Sequence, residues 1–445
     1  MTEVPSGPGT GPKAAVEVEQ PVGVQRAVEN GPGPAPAAGT GTDTDTAPAE
    51  SGEPTAAYGD HLPAAGRATA VRPEGWLLEA VRSSGGIWLG SRIAVLLLSM
   101  AAARALSGGP ANRVPGVLTL WNRWDVGLFT KVARYGYRSP HYADRTEVDF
   151  PGMPLAMRLV HLLVWNWTVA GLVVSFVAGG LAAAAIWRLS ADELGGARAR
   201  FAVVSLVLFP YAVFLFAGYS EAIFLGFAAA AWVEARRGRW WLAGLLGAGA
   251  ASTRVTGIPF CAALAVEYLF ARRRAGLPIV AWPALSLALP PVPIAVFMFY
   301  MRAKTGTFNF YRDAMRAGWH RGTAWPWVGW RATWDLAWDG TQSSAFVWFW
   351  RGELLAVVVG VVVTVLLLRS RRFGEATFVG GATLLMSASS YYASGIRTIL
   401  VAFPLYLMLA RAAGRWRWMA PAYLWIATPV MAAFVVAFSQ GQWVD

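Results

Sequence analysis

Cysteine, lysine, histidine and charge are all scarce in this chain of 445 residues, and each scarcity closes off a class of protein. The single cysteine, Cys261, excludes an internal disulfide framework and a thiolate metal cluster. Its place in an apolar run marks it as a small buried hydrophobe. The four histidines (His61, His141, His161, His320) show no ligand spacing, and HExxH is absent. There is no P-loop and no dinucleotide fingerprint, so no nucleotide cofactor is expected. Charged residues form only 14% of the chain, against about 25% in an ordinary soluble protein. Hydrophobic residues reach 56%, with 23 tryptophans and a mean hydropathy of +0.42. That balance excludes a water-soluble enzyme and points to a membrane protein with many spans.

The net charge of +12 is unevenly spread: residues 1–75 hold ten acids against four bases, the remainder sixteen against 34. Only three of the 38 basic residues are lysine. A strongly basic chain raises nucleic acid as a partner. Here the bases stand in short clusters between apolar runs, the pattern of membrane topology instead, and no nucleic-acid partner is expected.

Residues 1–75, with stretches such as GPGPAPAAGTGTDTDTAPAE, show no apolar periodicity and too little apolar surface to offset the entropy of ordering. They read as a disordered cytoplasmic tail. No basic stretch followed by an apolar one marks them as a signal peptide. Residues 76–445 form the hydrophobic body. Its apolar runs cover roughly 86–106, 158–187, 201–217, 222–235, 240–253, 257–271, 279–300, 351–368, 375–392, 396–410 and 418–438. Lipid cannot satisfy exposed backbone groups, and runs this long and uniformly apolar do not suit barrel strands. The expected fold is an all-α polytopic bundle of about 11 transmembrane helices.

Arginine clusters occur at Arg188/Arg198/Arg200, Arg236/Arg237/Arg239, Arg272/Arg273/Arg274, Arg369/Arg371/Arg372 and Arg411/Arg415/Arg417. With eleven spans and a cytoplasmic N-terminus all five fall on the cytoplasmic side, as the positive-inside rule requires. Two long segments, about 107–157 and 301–350, are left as outer loops, where extracytoplasmic chemistry is expected.

In the first of these, Trp121, Trp124, Leu128 and Phe129 recur at helical spacing, which predicts an amphipathic interfacial helix. Asp125 sits within it, flanked by Arg123 and Lys131. On spacing alone a helix-capping Asp or an Asp125–Arg123 pair is the first reading; the second is a carboxylate partly desolvated beside tryptophans at the membrane surface and suited to take a proton from a hydroxyl. Arg254 in STRVTG and Arg397 in SGIRT fall near the outer ends of spans. A guanidinium there matches a phosphate bidentately, or serves as a snorkelling or ion-paired structural residue. Glu221 in GYSE lies at a tight outer turn, to orient a hydroxyl or pair with an arginine. Tyr219 is an interfacial anchor or ligand contact, and Asp149, before FPGMP, a second outer acid within reach of a sugar hydroxyl. Asp144, Glu147 and Asp149 have the chemistry to hold a divalent ion, but no metal is expected. The second outer loop carries eight of the tryptophans, read first as an interfacial belt and second as a wall for sugar rings or an isoprenoid chain. His320 and Arg321 within it are placed to reach a phosphate.

Four blocks are recognisable. WNRWDVGLFTKVARYGY resembles the Trp-Asp…Gly-Tyr motif of the PIG-V mannosyltransferase family, and DFPGMPLAMRLV its Phe-Pro-x-x-Pro-Leu segment. FPYAVFLFAGYSEAIFLGF…STRVTGIP is similar to its Phe-Pro…Ser/Thr-Glu-Ser…Thr-Arg-x-Thr-Gly stretch, and SGIRTILVAFPLYLMLA resembles its Arg-Tyr…Phe-Pro-Leu segment. Ala222 and Thr398 stand where that family has a serine and an aromatic. The blocks run in family order over about 120–410. The resemblance implies a GT-C-type bundle that takes mannose, or a similar hexose, from a polyprenyl-phosphate donor on the extracytoplasmic face of the plasma membrane. The acceptor is a glycolipid, polymer or protein hydroxyl, and no cofactor is required. By match to the Trp-Asp motif it makes Asp125 the catalytic base; a single displacement with inversion is expected, with Arg254 and Arg397 as donor-phosphate ligands and Glu221, Asp149, Trp124 and Tyr219 as acceptor or sugar contacts. The alternative reading is a polytopic transporter or lipid flippase without transferase activity, whose signature is charge at mid-membrane and related halves.

Overall fold

A computed structural model describes residues 75–106, 116–137, 146–340 and 342–444. The expected tail, apart from Gly75, lies outside the described residues, as do two stretches of the first outer loop that include Asp144. The described residues belong to the compact unit Thr69–Asp445.

They fold as helices with no strand among them. The first group is α1 (Trp76–Leu106), α2 (Val117–Trp121), α3 (Asp125–Tyr135), α4 (Gly152–His161), α5 (Trp167–Leu194) and α6 (Gly196–Val207). Then come α7 (Ser220–Arg236), α8 (Trp240–Ala251), α9 (Gly257–Arg274), α10 (Pro291–Thr305), α11 (Phe310–Trp319) and α12 (Pro326–Trp338). The last are α13 (Ser344–Arg369), α14 (Phe373–Ser387), α15 (Gly395–Leu400), α16 (Pro404–Arg415) and α17 (Met419–Ser439).

Five segments are long and apolar enough to cross a bilayer by length and composition: α1, α5, Trp282–Thr305 (which contains α10), Phe346–Arg369 of α13, and α17. The other six expected spans fold as shorter helices and turns, so the chain is a multi-pass membrane protein, with a count of eleven left as an expectation. α7 explains one of the short ones. Nearly every residue of it is buried, because it packs against α5, α8 and α9. A helix apolar all round sits inside a bundle. Small residues let it approach α5 closely: a Cβ on Gly226 would lie 2.5 Å from the Ala178 carbonyl oxygen. Outward faces are equally apolar. Leu355, Val361 and Val362 of α13, Phe299 of α10 and Trp425 of α17 are exposed, as a lipid-facing surface demands.

Three expected elements are broken. The run 158–187 divides into α4 and α5 because Asn166 caps α5, its Oδ1 accepting from the Val169 N–H at 3.1 Å. The run 201–217 stops being α-helical after Val207, before Pro210, and continues as the short 3₁₀ helix Ala212–Leu215. The amphipathic helix expected through Trp121 and Phe129 is two helices, α2 and α3, separated by Trp124 at φ 50°.

Three of the five basic clusters meet around shared acids, and a fourth is paired beside them. Glu193 at the end of α5 accepts from Arg236, Arg372 and Arg411, Glu375 binds Arg236 and Arg372, and Arg188 pairs with Glu79 and Asp192. Arg236 lies at the far end of α7 from Glu221, about 22 Å away at 1.5 Å per residue. The basic network and the outer-loop acids therefore occupy opposite ends of the core.

Candidate functional site

Asp125 is the first residue of α3, where the helix dipole favours a negative charge. Its backbone N–H donates to the Tyr219 hydroxyl at 3.3 Å. The strained Trp124 in front of it, at positive φ, fixes the direction in which the chain enters the helix. α3 turns Val126, Phe129, Val132 and Ala133 inward, so the carboxylate at its tip stays at the rim of the core.

The ion pair of Asp125 is made with Arg397, more than 270 residues away, rather than with the neighbouring Arg123. Arg397 Nη1 donates to Asp125 Oδ2 at 3.0 Å. Its Nε donates to Glu221 Oε1. The same Glu221 oxygen accepts from Arg254 Nη1 at 2.5 Å, which also donates to Ser220 Oγ at 3.0 Å. The result is a chain of alternating charge, Asp125–Arg397–Glu221–Arg254. Glu221 is fully buried and Arg397 nearly so, which two hydrogen-bonded cations and a carboxylate on either side make tolerable. The Arg397 guanidinium stacks on Phe214 and Tyr219, centred 5.0 and 4.9 Å from the rings.

Each member comes from the same end of a different element: Glu221 from the first turn of α7, Arg254 from the turn between α8 and α9, Arg397 from the first turn of α15. α15 is itself anchored. The Gly395 and Ile396 N–H groups donate to the fully buried Glu353 carboxylate of α13 at 2.6 and 3.4 Å.

A cavity of about 460 Å³ opens beside this chain. Asp125, Asp149, Arg254 and Arg397 line it, together with Tyr311, Arg312 and Trp319 of α11 and Arg321 just after that helix. Asp149 is buried, and its Oδ2 has no hydrogen-bond partner among the described residues. Burial, reinforced by the nearby Asp125 charge, raises the Asp149 carboxyl well above the usual carboxylate range; Arg397 opposes the shift and Glu147 adds to it. A neutral acid at that position can donate a hydrogen bond as well as accept one.

The cavity thus brings together Asp125, Asp149, Arg254 and Arg397. Glu221 and Tyr219 lie behind its wall, each fully buried and in contact with Arg397. Trp124 stands behind it too, edge-on to Trp443, which does line the cavity. The tryptophans of the second outer loop divide. Trp325, Trp327, Trp334, Trp338 and Trp348 are exposed, in keeping with an interfacial belt, while Trp319 faces the cavity. Arg312, Tyr311 and Trp443 were not anticipated; Arg312 is one exposed base on an amphipathic helix, and nothing local sets it apart. Glu353 did carry a signal, as a lone acid at the head of an apolar run. Among the described residues no group of three or more His, Cys, Asp or Glu is arranged to hold a metal ion.

No family model matches the chain. It is similar to GPI alpha-1,6-mannosyltransferase 2 of Mus musculus, at 30% identity over 218 residues, which are 44% of this chain and 43% of that protein. The same protein of Cricetulus griseus is 34% identical over 156 residues, 33% of this chain and 31% of its own length. The match spans less than half the length of these curated relatives. Among solved structures, ArnT from Cupriavidus metallidurans bound to undecaprenyl phosphate superposes with a TM-score of 0.42 at 13% identity, covering 80% of this chain and 75% of that one. Over the matched stretch the chain is homologous to GPI alpha-1,6-mannosyltransferase 2, the relationship its motifs imply.

Proposed function

We propose that the protein is a membrane glycosyltransferase of the GT-C type, which moves mannose or a similar hexose from a polyprenyl-phosphate donor to an acceptor hydroxyl. The observation that carries this reading is the meeting of Asp125 with Arg397, Arg254 and further arginines at one cavity. Asp125 is the base. Its carboxylate takes the proton of the acceptor hydroxyl as that oxygen bonds to the anomeric carbon from the face opposite the phosphate. The bond from carbon to phosphate oxygen breaks, its electron pair stays on the phosphate, and the sugar carbon inverts.

One working carboxylate suffices. A glycoside hydrolase commonly needs a second acid because its alcohol leaving group must be protonated. A lipid phosphate leaves as a stable anion and needs cations instead. In this reading Arg254 and Arg397 hold the acids in place and add positive field to the cavity. Glu221 and Tyr219 support them from behind, and the Asp149 carboxyl, whose proton affinity is raised by burial, bonds a sugar hydroxyl. The basic network at the other end of the core supports a cavity that opens on the extracytoplasmic side of the cell membrane.

The test uses purified full-length protein in lipid nanodiscs, radiolabelled polyprenyl-phosphate mannose and a panel of acceptors. Wild type transfers label, and Asp125→Asn keeps its fold but loses at least ~10²-fold in rate, the usual worth of a general base. Equal rates for the two proteins remove Asp125 as the base.

A further inference from the structure

Four arginines line the cavity, and they are not equivalent. Arg397 is shared between two carboxylates, and Arg254 is bonded to one carboxylate and a serine hydroxyl. Arg321 and Arg312 form no ion pair among the described residues. Arg321 Nε donates to Ser389 Oγ at 3.1 Å, which leaves both of its Nη groups without a hydrogen-bond partner among the described residues. Arg312 is exposed beside it on α11.

We infer that the phosphate group of the donor is seated on Arg321, assisted by Arg312, and not on the two arginines that hold the acids. The inference rests on the glycosyltransferase reading and assigns its phosphate site.

Charge movement in the reaction favours that division. As transfer proceeds, negative charge disappears from Asp125, which gains a proton, and appears on the phosphate oxygens, which gain an electron pair. A cation whose field falls on Asp125 works against the first change, and one at the phosphate favours the second. Arginines already neutralised by carboxylates suit the Asp125 end. Arginines with free N–H groups suit the phosphate end, where a planar guanidinium meets two oxygens at once.

The seat is also rigid. Arg321 follows His320, which ends α11 in the left-handed conformation at φ 51°. The turn is pinned to the segment after α14. The Gly322 N–H donates to Ser390 Oγ at 3.1 Å, the Ser390 N–H donates back to the Gly322 carbonyl at 2.9 Å, and the Tyr391 hydroxyl donates to the Trp319 carbonyl. The Tyr391 ring lies 5.7 Å from the Arg321 guanidinium. A guanidinium fixed before the ligand arrives loses little freedom on binding.

Titration of the full-length chain in nanodiscs with farnesyl phosphate, inorganic phosphate and farnesol tests the assignment. Arg321→Gln is expected to weaken farnesyl phosphate about tenfold or more, as removal of a charge-assisted pair does, and to leave farnesol unchanged. Adding Arg312→Gln weakens it further, and Arg321→Lys recovers part of the loss. In the transfer assay Arg321→Gln raises the donor KM while the pH profile keeps its shape. Farnesyl phosphate binding more tightly than inorganic phosphate, with both dependent on Arg321, assigns the seat to a lipid-borne phosphate; equal binding with the same dependence assigns it to phosphate from either source. If folded Arg321→Gln binds farnesyl phosphate as wild type does, the seat is elsewhere and the glycosyltransferase reading stands or falls on Asp125→Asn. If wild type binds neither phosphate compound, both proposals fall.

Discussion

Replacing Glu221 by glutamine removes one charge from the middle of the site and almost no volume. Glu221 is fully buried; its Oε1 accepts from both Arg397 and Arg254, while its Oε2 has no partner among the described residues. A glutamine with its carbonyl in the place of Oε1 keeps both bonds, and its amide nitrogen takes the place of the oxygen that bonded nothing. The substitution therefore isolates charge from geometry. Each bond keeps its charged guanidinium donor but loses the opposite charge on the acceptor, and two largely buried cations lose a counter-ion, so the loss is about 1–3 kcal/mol, below the ~3–5 of removing a buried partner outright. Glu221→Ala removes the bonds as well, leaving Arg397 with Asp125 alone and Arg254 with the Ser220 hydroxyl, for about 3–5 kcal/mol. Activity responds to the same change. Arg397, no longer shared, concentrates its field on Asp125 and opposes the loss of charge there; about 1 kcal/mol of this opposition slows transfer roughly fivefold. Unfolding in detergent followed by tryptophan fluorescence, paired with label transfer, reads both effects. Glu221→Ala as mild as a surface substitution, or Glu221→Gln equal to wild type in stability and rate, refutes the argument that this carboxylate holds the site together.

Three further outcomes are expected. Asp149→Asn fixes the neutral state of a carboxyl whose folded-state proton affinity is raised by burial and by Asp125. The stability this group contributes is present at low pH and lost as pH rises through its raised value, so the variant should transfer label at neutral pH and lose less activity and stability than wild type on the alkaline side. Gly226→Ala places a Cβ 2.5 Å from the Ala178 carbonyl and should destabilise the α5–α7 contact by about 1–3 kcal/mol, measured as a lowered unfolding midpoint. Arg397→Lys keeps the charge but cannot reach Asp125 and Glu221 at once, so the rate should fall about tenfold or more; a wild-type rate shows that charge alone is enough.

The apolar runs were legible because their cause is local: each expected span contains helix, and only its ends and continuity differ. The break between α2 and α3 was not legible, since it depends on a tryptophan at positive φ, a conformation that sequence assigns to glycine. At the site, Asp125, Arg254, Arg397 and Glu221 each stood out in a motif, yet their pairing did not. Asp125 had Arg123 two residues away as the obvious partner, and the packing of α15 against α13 and α14 brings Arg397 to it. Arg321 was noticed beside His320, but its freedom from acids is a property of the folded neighbourhood and no spacing records it. Arg312 is placed by α11, whose Phe310 and Ala314 turn inward and leave the arginine at the cavity.

The alternation of charge at the site binds catalysis to folding. Glu221 is unexposed, and Arg397 and Arg254 are largely covered, so none of the three is stable in its place until the other two arrive from helices far apart in the chain. Loss of activity on changing any of them therefore mixes chemistry with misassembly. Asp125 differs. Its side chain keeps 23% exposure at the open end of the series, its partner Arg397 retains Glu221, and asparagine can still accept from the same guanidinium. Removing this charge leaves Arg397 paired with Glu221, so Asp125 is the member whose chemistry is best tested with the fold left intact. A carboxylate that must lose its charge during the reaction belongs at such an edge, where its neutralisation does not unbalance the buried pairs behind it.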